Sequence, residues 1–592
     1  MTKLACVLAI VVVLWMSNRH MAYADPVVEP QAELRERIRM IHHRFAQGEC
    51  PRFTDDFILA DVALRADYPR RFSEYSGDLS GRLIGALATV PSTEPGISVE
   101  DLVRQCLRHQ RPDGRFGNPE LEFTPDSIGR DHMALLWGNG RMLVALLEFH
   151  ASTPDPDVLD AARRLAGFLQ TVGRECADPA VAKRVQDLGA AGMICLTNLA
   201  EGFVLLAQAT GDATYLDAAR DSISWLEPRG RQHSHGYLTT LRAVLMLQEA
   251  TRDDALLEMV EDAYRDLVAS PDYLVYGGVA EYFGGRGDRD EGCSEADFLR
   301  LSLQLWRLTG SHEYIDRAER CLLNHFFANQ FDNGDFGHHV LFSKGFAPAT
   351  GTGRAWWCCT MHALRAFRDV LDALVRVDDG TLRVDLFLDA AWSDGDVSLD
   401  MTRDLSQDTG PSFTVRVRNA PASETAIAIR QPFWAESMPV TVNGEPIPQT
   451  VEEGYVVLRR LWSDGDALEV TPTCLARIET REGKVLRLDE IPSAPVEGAL
   501  FFGPWLLGVH EATDPFFFGE PWQDNAVILE ERLVPDVGTT AAGLSIPAAS
   551  FQVDYEHGGF PERCRATLRP VSERSRHGQS TVGVWLRYRR EK

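Results

Sequence analysis

From Gln31 to about Val375, apolar residues recur at every third and fourth position, the spacing of helices that bury one face. A unit within this pattern repeats. Ser152 to Arg163 reads Ser-Thr-Pro-Asp-Pro-Asp-Val-Leu-Asp-Ala-Ala-Arg. Related runs follow at Thr210 to Arg220 and Thr309 to Glu319, with a weaker one at Thr251 to Glu261. In each copy one helix ends, the chain turns on Gly or Asp, and a new amphipathic helix begins. The copies fall roughly every 40–60 residues, the length of a helical hairpin with its loops. A ring of such hairpins is an (α/α) toroid, and an open helical solenoid is the second architecture compatible with the pattern.

Near Arg376 the period changes from helical to alternating. Leu382 to Leu388, Val397 to Met401, Phe413 to Arg418 and Ala426 to Arg430 read as strands. Asn443-Gly444 is a hairpin turn between two more. Residues 377–592 are therefore expected to be all-β, a β-sandwich or more than one. The Pro- and Gly-rich segment from Gly519 on is a candidate to pack back on the helical part. The overall fold class is a multidomain α+β chain.

At 592 residues the chain exceeds one ordinary core. The 86 acidic against 60 basic side chains give a formal charge of -26, which argues against nucleic acid as a partner. Lys3, the apolar run Leu4 to Met16 and Ala22-Tyr23-Ala24 read as an export signal, residues 1–24, with cleavage after Ala24. The apolar run is too short to span a bilayer, so a periplasmic or secreted protein without a stable membrane anchor is expected. Of eleven cysteines, Cys358 and Cys359 stand out. Neighbouring cysteines rarely bond each other without strain, so the pair points to metal or redox chemistry.

Glu291-Gly292-Cys293 adds a carboxylate and a thiol. Together with Cys358 and Cys359 this makes one oxygen and three sulfurs, enough for tetrahedral zinc. The alternative is a buried Cys293 and an incidental pair. Glu281 follows Gly-Gly-Val-Ala and precedes Tyr282-Phe283. Enclosed by aromatic rings its carboxyl would hold a proton more tightly, and solvated at a loop edge it would be an ordinary glutamate. Clusters around His132, Trp137, His235, His338 and Trp356 supply the aromatic and hydrogen-bonding groups that suit sugars, and these five are the candidate substrate contacts.

These motifs, in order, resemble glycoside hydrolase family 127, the β-L-arabinofuranosidase-like proteins. The resemblance is carried by Gly277 to Phe283, Glu291-Gly-Cys293, Leu305 to Glu319, Asn324-His325 and Trp357-Cys-Cys359, then by Ile429 to Trp434, Val442-Asn-Gly444 and Gly503-Pro504 in the β region. It implies an (α/α)6 barrel over residues 25–376, followed by β-sandwich domains over 377–592. It implies Zn2+ held by Glu291, Cys293, Cys358 and Cys359, with Cys358 the nucleophile and Glu281 the general acid/base of a retaining exo-glycosidase. The sequence departs from the family pattern at Trp356, at His338 and in the short gap from Glu281 to Glu291, where sugar contacts are expected. The partner is then an oligosaccharide or glycoside, and a homodimer is compatible with the sequence. A carbohydrate-binding scaffold with structural zinc, or a lyase or isomerase on the same toroid, are the competing functions.

Overall fold

The computed structural model describes residues 26–48, 52–65, 74–92, 94, 96–188, 190–285, 288–349, 357–395, 397–404, 411–530, 533, 550–573 and 580–591. The signal-like residues 1–24, Cys50 and the candidate contact Trp356 lie outside them. The chain forms two compact units, each made of two separated stretches. One is Arg37–Val370 with Cys474–Lys592, and the other is Leu371–Thr473 with residues 26–36, each for its described residues.

The first unit is built on helical hairpins. Its helices include α1 (Ala32–Gln47, from Arg37 on), α2 (Asp78–Thr89), α3 (Val99–Leu107), α4 (Arg130–Ser152), α5 (Pro156–Cys176), α6 (Leu199–Thr210), α7 (Thr214–Ile223), α8 (Ser234–Thr251), α9 (Asp254–Val268), α10 (Gly292–Thr309), α11 (His312–Arg320) and α12 (Trp357–Asp372). The even-numbered helices are buried on nearly every side, while the odd ones bury one face. That difference separates an inner from an outer layer. Turns between layers follow from sequence. Asp155 and Asp253 cap α5 and α9 by accepting backbone N–H groups. Gly211 and Gly310 end α6 and α10 at φ of 72° and 70°, where a side chain would be strained.

Inner helices pack in succession from α2 to α10. Salt bridges continue the ring. Arg300 of α10 meets Asp369 of α12 at 2.8 Å, and Arg365 of α12 clasps Glu148 of α4. Gly85 of α2 leaves room for that guanidinium, which a Cβ would strike. The result is an (α/α)6 barrel. Gly192–Thr210, the one stretch among the described residues that is long and apolar enough to cross a membrane, is mostly buried inside this barrel.

The same unit carries an eleven-stranded sheet from Cys474–Lys592 and the hairpin 339–348. Strand Val496–Phe502 pairs with both Leu586–Arg590 and Trp505–His510, which closes six of its strands into a ring. Val582–Gly583 pairs with Gly345–Pro348, joining the late strands to the hairpin. A π-helical turn, Cys321–Phe326, adds a second link: the Asn324 amide donates to the Pro504 carbonyl and accepts from the Leu506 N–H.

The other unit is a two-sheet β structure. Its seven-stranded sheet runs in the order 27–30, 390–394, 397–404, 412–419, 467–470, 440–442, 445–446, and its five-stranded sheet in the order 450–452, 455–460, 425–430, 381–384, 375–378. In the seven-stranded sheet inward positions such as Trp392, Leu399 and Val415 are buried and the residues between them are part-exposed, the alternation expected of a sandwich. Strand 425–430 of the five-stranded sheet is instead buried on both faces, with Ala426 and Ala428 as enclosed as Ile427. Residues 27–30, which lie just ahead of the helical pattern, form its edge strand against 390–394.

Candidate active site

Two short elements converge beside the barrel's inner helices. Glu291 is the N-cap of α10, and Cys293 lies in its first turn. Cys358 and Cys359 lie in the first turn of α12. Their ligand atoms, together with the Glu291 carboxylate, all lie within 4.8 Å of one another, and all four residues are buried. Gly292 fits tightly between Glu291 and Cys293. A Cβ there would lie 3.0 Å from Asn329 Oδ1 and 3.1 Å from Cys359 Cβ and Phe336 Cβ. One carboxylate and three thiols at this separation match the donor chemistry of tetrahedral zinc.

The thiols differ in environment. Burial pushes Cys293 and Cys359 well up. Burial also opposes ionisation of Cys358, but hydrogen bonds from Cys293 and Cys359 and the nearby Arg82 guanidinium outweigh it and bring that thiol well down. Cys358 is also the least enclosed of the three, at 8% exposure against 0% for the others. Glu291 is held below the usual carboxylate range. Burial works against this, but His233, whose Nε2 lies 3.1 Å away, overrides it with help from His235 and His338.

Glu281 stands one carboxylate away from the cluster. His233, Glu281 and Glu291 have donor atoms within 4.8 Å of one another. Antiparallel pairing fixes this placement: the Glu281 N–H donates to the Arg289 carbonyl, and the Ser234 N–H to the Glu281 carbonyl. The Glu281 carboxylate is clasped by Arg289, with Nη2 at 2.6 Å from Oε1 and Nε on Oε2. The side chain is thus buried and paired with a guanidinium, where the sequence left open a ring-enclosed carboxyl or a solvated one. His233, at the start of α8, faces Glu291, Glu281 and Cys358.

The sugar-contact candidates divide. His338 is buried next to Glu291. His235 is engaged by Asp297 of α10. Its Nδ1 lies 2.5 Å from Asp297 Oδ2, and its Nε2 faces Arg82 Nη2 at 3.0 Å. Because the guanidinium can only donate, Nε2 must accept and Nδ1 carries the proton. Burial lowers the His235 pKa, which agrees with a neutral ring. Trp137 donates its indole N–H to Asp78 at 3.0 Å and lies edge-on to His235. His132 is committed to its own loop: Nδ1 accepts from the Gly129 N–H and Nε2 faces the Glu122 carbonyl at 2.8 Å. Both ring nitrogens are used, which leaves none for a sugar.

Arg82 and Arg289, which the sequence does not single out, also line the site, as does His233 of the run His233-Ser-His235. Arg82 sits 4.0 Å from Cys293 Sγ and 2.7 Å from Asp78 Oδ1. A hint was present in the pair His233-Ser-His235, since two residues straddling a helix start must point in different directions.

A second buried cluster braces the site. His325 lies between Asp290 at 3.2 Å and Glu295 at 3.0 Å, and the Asn329 amide donates to Glu295 at 2.9 Å. Burial disfavours a charged imidazole here, but the two carboxylates outweigh it and raise His325 to about 10. The π-helical turn thus sends Asn324 to the sheet and His325 to the segment bearing Glu291.

Comparison with known proteins agrees with this arrangement. Residues 83–371 match the β-L-arabinofuranosidase GH127 catalytic domain, and residues 381–472 match the GH127 middle domain. A GH127 β-L-arabinofuranosidase from Geobacillus stearothermophilus T6 superposes with a TM-score of 0.70 at 15% identity, covering 95% of this chain and 100% of that one. A second structure, a GH127 β-arabinofuranosidase, gives 0.66 at 16% identity, covering 94% and 96%. No curated protein matches the sequence. At these identities the superpositions establish the fold, and the two domain matches, which together span most of the chain, establish the kinship. The chain belongs to glycoside hydrolase family 127, the β-L-arabinofuranosidase-like enzymes that act on O-glycosyl bonds.

Proposed function

We propose that the protein is an exported, zinc-dependent, retaining exo-glycosidase that removes a β-L-arabinofuranosyl or related furanosyl unit with Cys358 as nucleophile. The observation that carries this reading is the convergence of Glu291, Cys293, Cys358 and Cys359 within 4.8 Å, with Glu281 within the same distance of Glu291. Those four residues would hold the zinc, and the ion would keep the thiols ionised at neutral pH and make sulfur a better leaving group.

The chain's own groups supply the steps. Cys358 Sγ forms a bond to the anomeric carbon as the glycosidic C–O bond breaks, and Glu281 gives its proton to the departing oxygen. Water then adds to the anomeric carbon, Glu281 takes a proton from it, and the C–S bond breaks. Two displacements retain the configuration. Arg289 clasps both oxygens of Glu281, which suits the base that activates water. To serve as the acid, Glu281 must turn an oxygen to the substrate, so the part-exposed Arg289 must give way. Of the three thiols, Cys358 is the least enclosed.

Cys358→Ser is expected to abolish turnover of a β-L-arabinofuranoside while about one zinc per chain is bound by the wild type. Full activity in that variant, or a wild type free of zinc, would overturn the proposal. Burial of all four donors favours a second reading, a sugar-binding scaffold with a closed structural zinc site. Tight glycan binding without product release across a broad glycoside panel would select it. Export is tested by N-terminal sequencing of the secreted protein, which should begin at Asp25.

A further inference from the structure

We infer that the leaving-group side of the substrate rests on a ribbon beside Glu281, formed by Arg289, Val340 and Phe342, and that the enzyme therefore favours glycans with a sugar there over simple glycosides. This rests on the function proposed above. The departing oxygen receives its proton from Glu281, so the sugar attached to it must sit on the Glu281 side of the site.

The register of the chain shows what lies on that side. Segment 288–290 runs antiparallel to strand His339–Phe342: the Leu341 N–H donates to the Asp288 carbonyl at 2.9 Å and the Asp290 N–H to the His339 carbonyl at 3.2 Å. Arg289 and Val340 are opposite one another. Directly opposed residues in an antiparallel pair project from the same face, as do residues two apart in one strand. Arg289, Val340 and Phe342 therefore form one row. The row is open to solvent, with the Arg289 side chain 41% exposed, Val340 46% and Phe342 37%.

The neighbours keep it open. Across the other edge of the strand, Val340 faces Ala347 and Phe342 faces Gly345, which bring little or no side chain. At the far end the Phe342 ring lies edge-on to Trp522, with ring centroids 6.5 Å apart. An apolar row bounded by a guanidinium fork matches a sugar ring, whose C–H face packs on apolar carbon and whose hydroxyls accept hydrogen bonds. The Arg289 carbonyl accepts from the Glu281 N–H at 3.0 Å, so the row stays continuous with the site even when the guanidinium lets the carboxylate go. A free macromolecular partner would have no reason to be registered with Glu281.

The test compares a β-L-arabinofuranosyl disaccharide with methyl β-L-arabinofuranoside as substrates for the full-length zinc enzyme. For Phe342→Ala, the ratio of kcat/KM for disaccharide to methyl glycoside is expected to fall about five- to tenfold, mainly through KM, the size of one lost stacking contact. Phe342→Trp should keep the ratio or raise it, and unchanged melting temperatures confirm that both variants are folded. An unchanged ratio in Phe342→Ala, with the wild type active on both substrates, overturns the ribbon and leaves the proposed function standing. A wild type inactive on both refutes that function. The ribbon is then decided by direct binding of arabino-oligosaccharides measured by NMR: weakened binding in Phe342→Ala supports it, and equal or absent binding overturns it.

Discussion

Asp297 ties three inner helices together at the centre of the barrel, and replacing it with asparagine should cost about 3–5 kcal/mol. The residue lies on α10 and is fully buried. From α8 it receives the Thr239 hydroxyl at 2.8 Å, His235 Nδ1 at 2.5 Å and Arg242 Nη1 at 3.2 Å. From α12, His362 Nε2 lies 2.9 Å from it. Burial works against the charge, yet His362 and His235 hold the carboxyl well below its ordinary range. Asparagine keeps the shape, removes the charge and sets an N–H2 against groups that are themselves donors. Each charge-assisted hydrogen bond contributes roughly 1.5–3 kcal/mol, and breaking a buried ionic set by one partner costs about 3–5 kcal/mol. For a unit of about 450 residues, at roughly 2.1 cal/mol/K per residue, that corresponds to a melting point lower by ~3–5 °C. Differential scanning calorimetry of Asp297→Asn against wild type measures it. A shift below about 1 °C would refute the view that this carboxylate holds the inner helices together.

Two further predictions concern fit and protonation. Gly292→Ala should cost about 1–3 kcal/mol through overpacking and weaken zinc retention against a chelator, because the added methyl presses on the carbon that carries the Cys359 thiol. Unchanged zinc retention would show that α10 and α12 can part at no cost. His510 is buried against the Pro570 carbonyl, and burial lowers its pKa to about 4. The unfolded state therefore takes up the extra proton first, so stability is full above about pH 6.5 and declines as pH falls toward 4. The loss amounts to about 3 kcal/mol when complete. Denaturant titrations of wild type and His510→Gln between pH 4 and 7 should show a shallower slope in the variant, and equal slopes would count against this assignment.

Much of the barrel was legible because its information is local. The Thr-Gly turns at 210–211 and 309–310 and the capping aspartates punctuate the helices within a few residues. The metal-ligand candidates were legible because a carboxylate and three thiols make an unusual chemical set. What the sequence concealed depends on distant partners. Residues 27–30 carry no sign that they pair with 390–394. Arg82 and Asp78 look like one exposed salt-bridged turn until α2 is known to be buried on nearly every side. The run His233-Ser-His235 does not show which ring meets Glu291, because a chain of letters does not say which way a helix start faces. The guanidinium partner of Glu281 was hidden as well, because Arg289 reaches it only once segments 280–281 and 289–290 pair.

The pairing of 582–583 with 345–348 also constrains how the molecule is made. The hairpin that flanks Glu291 waits for strands synthesised about 240 residues later. Between them the ribosome delivers residues 371–473, which form most of another compact unit. Such long-range closure makes folding slow and leaves unpaired strand edges exposed in the meantime. The nascent barrel therefore emerges with its thiol-bearing helices in place but their flanking strands unsecured. A chain interrupted before the last strands would carry the ligand set without the framework that holds it.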